Sequence, residues 1–215
     1  MPTWIKICGT TSIEDALASV EAGANALGFI FAASRRRVSY QQAHEIARQL
    51  PGNIERIGVF VNESAKTIRE TVEQVGLTAV QLHGEETPEF IAGLFGPQYG
   101  GRQARVIKTI LANDNFTTNL DRFCQDDKLM DSFLIDSGSG SGKTFDWHAA
   151  HAVIGGYAFR FIIAGGLNPE NVGAAVKKFS PWGVDVVSGV EQSPGRKDPE
   201  KLKQFVSAVR KAEQP

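Results

Sequence analysis

Apolar positions along the chain form two kinds of run. Short, nearly continuous runs occupy residues 3–7, 26–31, 54–60, 79–82, 105–110, 133–135, 159–163 and 184–187. Between them the spacing changes to the three-and-four periodicity of amphipathic helices, over residues 13–21, 41–50, 65–75, 88–94, 169–179 and 199–211. Pro88, Pro169 and Pro199 stand where a first helical turn tolerates a missing N–H. Residues 88–94 and 145–153 give the weakest helical signals, the first because it is short and the second because it carries two histidines and little period.

Strand and helix alternate throughout, and strands apolar on both faces belong to a parallel sheet covered by helices. Eight such units close a barrel. The pattern therefore predicts a single-domain (β/α)8 barrel over residues 1–215. An open doubly wound sheet is the alternative. It is disfavoured because no Gly-x-Gly-x-x-Gly turn follows the first strand and because the 22 glycines gather at strand ends. No linker or composition shift divides the chain, and residues 96–101 read as a connection on the face opposite the chemistry.

Composition narrows the function classes. Twenty-three basic and 24 acidic residues leave a formal charge of -1, which gives no footing for nucleic acid or an anionic membrane surface. No apolar run approaches the ~20 residues of a membrane span, and the start of the chain has no signal-peptide pattern. Two distant cysteines, Cys8 and Cys124, make neither a disulfide framework nor a zinc cluster. A cytoplasmic enzyme acting on a small molecule, with no metal and no obligate protein partner, is the expectation.

In a barrel the loops after the strands hold the chemistry. Here strand one ends in Cys8-Gly9, strand two runs into Ser34-Arg35-Arg36-Arg37, strand four ends in Gln81-Leu82-His83-Gly84 and strand six in Asp136-Ser137-Gly138. Strands seven and eight run into Gly165-Gly166-Leu167-Asn168 and Ser188-Gly189-Val190-Glu191. Glycines let backbone N–H groups approach a phosphate closely, and barrels of the phosphate-binding type place that site after strands seven and eight. Gly165, Gly166, Asn168, Ser188 and Gly189 are thus the candidate phosphate residues. The run from Ser137 to Thr144 imitates a nucleotide-binding loop but puts Ser137 where the motif needs glycine, and it follows the sixth strand. A loop beside the active site is the better reading.

The segments Lys6-Ile7-Cys8-Gly9, Leu27-Gly28-Phe29-Ile30-Phe31, Ser34 with Arg36, Val80-Gln81-Leu82-His83-Gly84, Leu134-Ile135-Asp136, Gly142-Lys143-Thr144-Phe145-Asp146-Trp147, Ala164-Gly165-Gly166-Leu167 and Ser188-Gly189-Val190-Glu191 with Pro194-Gly195 occur in this order. Together they resemble the phosphoribosylanthranilate isomerase family nearly end to end. The resemblance implies an Amadori rearrangement of a phosphoribosylated anthranilate in tryptophan synthesis, without cofactor or metal. It implies Asp136 as general acid at the sugar ring oxygen, Cys8 as general base at C2′, and Arg36 as partner of the anthranilate carboxylate. Arg35 and Arg37 depart from the family pattern, as does Val187, where a serine commonly precedes the strand-eight Ser-Gly.

Each residue also has a plainer reading. Lone cysteines are usually small core hydrophobes, and Cys124 in its helical stretch is read that way. Cys8 has to become a thiolate to act as a base, and Lys6, two residues earlier, either assists it or pairs with a buried acid such as Asp185. Asp136 has to keep a proton to act as an acid; the alternative is an ionised cap on the next turn. Arg36 belongs either to the site or to a solvated arginine cluster. His83 lines the site or closes strand four as a core histidine. Among rival activities, a ribulose-phosphate epimerase would use metal-binding histidines or an acidic pair, and the sugar isomerase of histidine synthesis would use two aspartates. A phosphate-binding barrel without chemistry is the non-enzymatic alternative.

Overall fold

A computed structural model describes residues 1–96, 98, 101, 103–124, 129–138, 154 and 156–214. Eight strands close a barrel in chain order: β1 (Trp4–Cys8), β2 (Ala26–Ile30), β3 (Glu55–Phe60), β4 (Ala79–Leu82), β5 (Arg105–Leu111), β6 (Ser132–Asp136), β7 (Phe161–Ala164) and β8 (Gly183–Val186). Every neighbouring pair is parallel, and β1 closes on β8 with Lys6 opposite Asp185. The predicted barrel is the observed one. Its strand bounds shift by at most two residues, as at β8, which ends before Val187.

Among the described residues seven helices surround the barrel: α1 (Ile13–Ala22), α2 (Tyr40–Ala47), α3 (Ala65–Val75), α4 (Pro88–Leu94), α5 (Phe116–Phe123), α6 (Val172–Phe179) and α7 (Pro199–Ala212). Ser12, Ser39, Ser64, Thr87 and Asp198 cap five of them by accepting a backbone N–H two or three residues on. Pro88 and Pro199 open their helices as expected. Pro169 does not, because α6 starts three residues later. Asn168 Oδ1 accepts from the N–H groups of Glu170 (2.8 Å) and Asn171 (3.1 Å), and this turn competes with the first helical turn. The expected helix over 145–153 and the Gly142–Trp147 segment lie outside the described residues, as does part of the 96–101 connection.

The strands alternate between two packing layers. Ile5, Ile7, Leu27, Phe29, Val80, Leu82, Phe133 and Ile135 face the helices and join one large core with them. The intervening residues fill the barrel. At its lower end these are Trp4, Ala26, Ile57, Ala79, Ile107, Leu134 and Ile162, a separate apolar cluster against which Trp182 packs, its ring stacked on Trp4 at 4.9 Å. Continuing up the same strands by steps of two gives Lys6, Cys8, Val59, Gln81, Thr109, Asp136, Ala164 and Asp185. Period-two alternation therefore delivers a set of titratable groups to the C-terminal mouth.

Two further strands, β9 (Glu191–Ser193) and β10 (Arg196–Lys197), form an antiparallel hairpin after β8. Gly195, at φ +83°, makes its turn.

Candidate active site

The mouth of the barrel holds a pocket of about 150 Å³ whose described lining includes Cys8, Gln81, His83, Asp136, Gly165, Gly166, Asp185 and Ser188. Six of the nine residues singled out in the sequence thus meet in one cavity. Arg36, Asn168 and Gly189 stand around it instead.

Cys8 ends β1 and is almost fully buried. Its place depends on Gly28, directly opposite on β2, where a Cβ would lie 2.6 Å from the Cys8 sulfur. Burial pushes the thiol above its ordinary value of 9.0, and the nearby Lys6 charge pulls against that push. Lys6 has no exposed surface, and its ammonium lies 2.8 Å from Asp185 Oδ1. Both readings offered for Lys6 hold together: it pairs with Asp185 and acts electrostatically on Cys8. Burial works against the ammonium, but Asp185 and Cys8 together more than offset it and leave Lys6 above 10.5.

Asp136 ends β6 on the other side of the pocket. Its Oδ1 accepts the Gly138 N–H at 2.9 Å and its Oδ2 lies 3.7 Å from His83 Nε2. Gly165, at φ +90°, runs alongside. A Cβ there would collide with Ser137 Oγ and come within 2.7 Å of Asp136 Oδ1, so only glycine lets the β7 loop lie against the carboxyl.

His83 lines the pocket rather than the core. Gln81 Nε2, which donates to Thr109 Oγ1 at 3.2 Å, lies 3.1 Å from His83 Nδ1, and this partnership assigns the ring proton to Nε2, facing Asp136. Burial pushes His83 below 6.5 against the opposing charge of Asp136, which makes the ring neutral at pH 7. The loop behind it is pinned by a second buried pair. Glu86 accepts from Lys108 Nζ at 2.8 Å and from the N–H groups of Asn62 (2.8 Å) and Gly84 (3.0 Å).

The β7 and β8 loops touch each other. Ser188–Val190 forms one turn of 3-10 helix, and a Cβ on Gly189 would collide with the Leu167 carbonyl oxygen. Gly166 takes φ +67°. Asn168 does not line the pocket, since its side chain holds the turn that delays α6.

Arg36 is not a solvated surface arginine. Its Nε and Nη2 donate to the two oxygens of Glu191 at 2.8 and 2.7 Å, and its aliphatic stem crosses Gly9, where a Cβ would meet Cδ at 2.8 Å. Glu191 and Lys197, neighbours of Arg36 and Cys8, were given no role from the sequence, Glu191 being quoted only within a motif, because their partners lie far away along the chain. Gly28 was quoted only within a motif. Cys124 ends α5 and is half-buried, packed on the outer core as a small hydrophobe. Among the described residues no group of three or more His, Cys, Asp or Glu is placed to hold a metal, and no helix is long and apolar enough to cross a membrane.

Comparison with known proteins agrees with this geometry. Residues 5–208 match the model of the family described as N-(5′-phosphoribosyl)anthranilate (PRA) isomerase. A relative bearing that name from Pelobacter propionicus is 43% identical over 204 residues, covering 94% of this chain and 93% of its own. The crystal structure of phosphoribosyl anthranilate isomerase from Thermotoga maritima is 38% identical, with a TM-score of 0.85, covering 97% of this chain and 99% of its own. A further structure, at 37% identity, TM-score 0.80 and the same coverage, is a phosphoribosyl anthranilate isomerase in complex with reduced 1-(o-carboxyphenylamino)-1-deoxyribulose 5-phosphate. With a matching model over nearly its whole length, relatives above 40% identity and the same barrel, this chain belongs to the phosphoribosylanthranilate isomerase family.

Proposed function

We infer that this chain isomerises N-(5′-phosphoribosyl)anthranilate to 1-(2-carboxyphenylamino)-1-deoxyribulose 5-phosphate, a step of tryptophan biosynthesis, with Asp136 as general acid and Cys8 as general base. The observation that carries this reading is the presence of a thiol and a carboxyl in one pocket, on β1 and β6, with the paired glycine turns of β7 and β8 between them. A sugar anchored by its phosphate at Gly165-Gly166 and Ser188-Gly189 lies between the two groups.

The rearrangement moves protons alone, so an acid and a base suffice. Asp136 gives its proton to the furanose ring oxygen, the C1′–O bond breaks, and the anilinic nitrogen lone pair forms the Schiff base. Cys8 as thiolate then takes the proton from C2′, whose electron pair neutralises the iminium and leaves an enolamine. Return of a proton to C1′ and loss of the C2′ hydroxyl proton give the ketose. The Lys6 ammonium favours the thiolate in a site that otherwise resists it. Neutral His83 donates from Nε2 toward Asp136 or toward a sugar hydroxyl. Arg36 meets the anthranilate carboxylate through the edge that Glu191 leaves open. Asn168 shapes the phosphate turn. Valine at 187 removes one hydroxyl from the phosphate pocket and leaves its backbone N–H groups. A base that has to remain a free thiol suits the reducing cytoplasm.

The test follows the fluorescence of freshly generated phosphoribosylanthranilate with the purified protein, against a buffer control for spontaneous decay. Enzyme-dependent loss with formation of the ketose is expected. No loss above the control, or turnover of the histidine-pathway aminoaldose alone, contradicts the reading.

A further inference from the structure

We propose that Glu191 is the positioning residue for Arg36, and that the Glu191–Lys197 hairpin fixes both the presence and the orientation of a single carboxylate-recognising edge at the site. The inference rests on the reading of Arg36 as the residue that meets the substrate carboxylate. It adds the device that makes that arginine selective.

Glu191 opens β9 and its side chain is 4% exposed. Its carboxylate receives four donors: Arg36 Nε at 2.8 Å, Arg36 Nη2 at 2.7 Å, the Gly195 N–H at 3.2 Å and Lys197 Nζ at 3.3 Å. Lys197 has no exposed surface, and its ammonium also donates to the carbonyls of Cys8 (2.6 Å) and Val187 (3.2 Å). The carboxylate therefore joins the β2 loop to the hairpin turn, and through Lys197 to the end of β1 and the segment after β8. A shift of the hairpin would move the candidate base and the arginine together.

Two consequences follow from the hydrogen-bond geometry and the charge. A guanidinium has two forked edges that match a carboxylate, and Glu191 occupies the Nε/Nη2 edge. Among the described residues the Nη1 side has no partner, so an incoming carboxylate meets one prescribed edge. The cluster also holds two cationic heads on one carboxylate. The Asp15 carboxylate nearby accepts the Lys197 backbone N–H. Lys201 Nζ adds a third cationic head, donating to the Glu191 carbonyl at 2.9 Å, so three cations against the Glu191 and Asp15 carboxylates leave one positive charge in excess, in a partly desolvated place where a further anion is favoured. Burial pushes Glu191 up, but the Arg36 hydrogen bonds and the Lys197 charge outweigh it and hold the group below 4.5, so it stays ionised at neutral pH.

The experiment measures binding of reduced 1-(o-carboxyphenylamino)-1-deoxyribulose 5-phosphate and of its phenylamino counterpart, which lacks the carboxylate. Wild type, Glu191→Gln, Arg36→Lys and the double variant are compared, with kcat and KM alongside. We expect wild type to prefer the carboxylate ligand by about tenfold or more, the size of a charge-assisted hydrogen-bond pair. Glu191→Gln should reduce that preference to within about threefold while binding the phenylamino compound as wild type does, and should raise KM more than it lowers kcat. In the Arg36→Lys background Glu191→Gln should add nothing, because the two act as one unit.

If Glu191→Gln fails to fold, Glu191→Gln with Lys197→Met removes the stranded lysine, and the same comparison is read on that protein. A retained carboxylate preference in either protein, or equal loss for both ligands, overturns the proposal. Absence of any preference in wild type, or a preference untouched by Arg36→Lys, overturns instead the reading of Arg36 on which the proposal rests.

Discussion

The lower and upper halves of the barrel interior are built from the same eight strands, yet they hold opposite chemistry. Below, Trp4, Ala26, Ile57, Ala79, Ile107, Leu134 and Ile162 form a sealed apolar cluster. Two residues further along, Lys6 is paired with Asp185, Gln81 with Thr109 and His83, and Asp136 faces the pocket. Apolar packing tolerates no charge without a partner, so the charged groups of the upper half arrive with one, while the buried Gln81 Oε1 faces the pocket side without a hydrogen bond from the described residues. The lower half gives the barrel a fixed frame, and the upper half uses that frame to bring groups from distant strands together.

One strand lets the contrast be broken most sharply. Leu134 and Asp136 lie two residues apart on β6, the first in the lower cluster and the second in the pocket. Leu134→Asp puts an unpaired carboxylate into the sealed layer and should destabilise the protein by about 3–5 kcal/mol, read by urea unfolding. Asp136→Leu should leave the unfolding midpoint nearly unchanged and remove activity. Equal losses of stability at the two positions would erase the distinction between the halves.

Gly28→Ala probes the boundary between them. The added methyl meets the Cys8 sulfur, and overpacking of this kind costs about 1–3 kcal/mol. Turnover should fall by roughly tenfold with KM held, since the thiol moves while the phosphate and carboxylate contacts stay. Unchanged turnover would show that the thiol position is not critical.

A smaller effect separates the buried thiol from an ordinary one by pH. The Cys8 thiol is held above 9.0, chiefly by burial, so its thiolate fraction should keep climbing as pH rises toward and past 9, whereas kcat/KM, which also needs the proton on the general acid, should not climb with it. Alkylation of Cys8 by iodoacetamide should follow the same rise, lagging behind Cys124, which is partly exposed. A plateau in Cys8 alkylation below pH 8 would contradict the assigned direction. The smallest effect belongs to His83. It is neutral at pH 7 and donates rather than transfers charge, so His83→Asn should lower turnover only several-fold and remove no break from the pH profile above pH 7.

What could be read from the sequence divides along the same line. The strands were legible because nearly continuous apolar runs separated by helical periods leave little choice but a covered parallel barrel. That topology in turn put Cys8, His83 and Asp136 at strand ends facing one mouth. Features made by contacts distant in sequence were not legible. Lys197 reaches the Cys8 carbonyl, and Glu191 reaches Arg36, through folding of the hairpin over the mouth, which no local pattern around either residue announces. Pro169 pointed to a helix start that the paired Asn168 and Asn171 side chains moved to Val172. The choice posed for Lys6, between assisting Cys8 and pairing with Asp185, was a false one, since the register of β1 with β8 allows both.

The most direct test of the central claim measures single-turnover loss of phosphoribosylanthranilate fluorescence for wild type, Cys8→Ala and Asp136→Asn at equal concentrations of folded protein. The account predicts that each variant is slowed by about 100-fold or more with an unchanged unfolding midpoint and retained binding of the reduced product analogue. Turnover within a few-fold of wild type in either variant would contradict it.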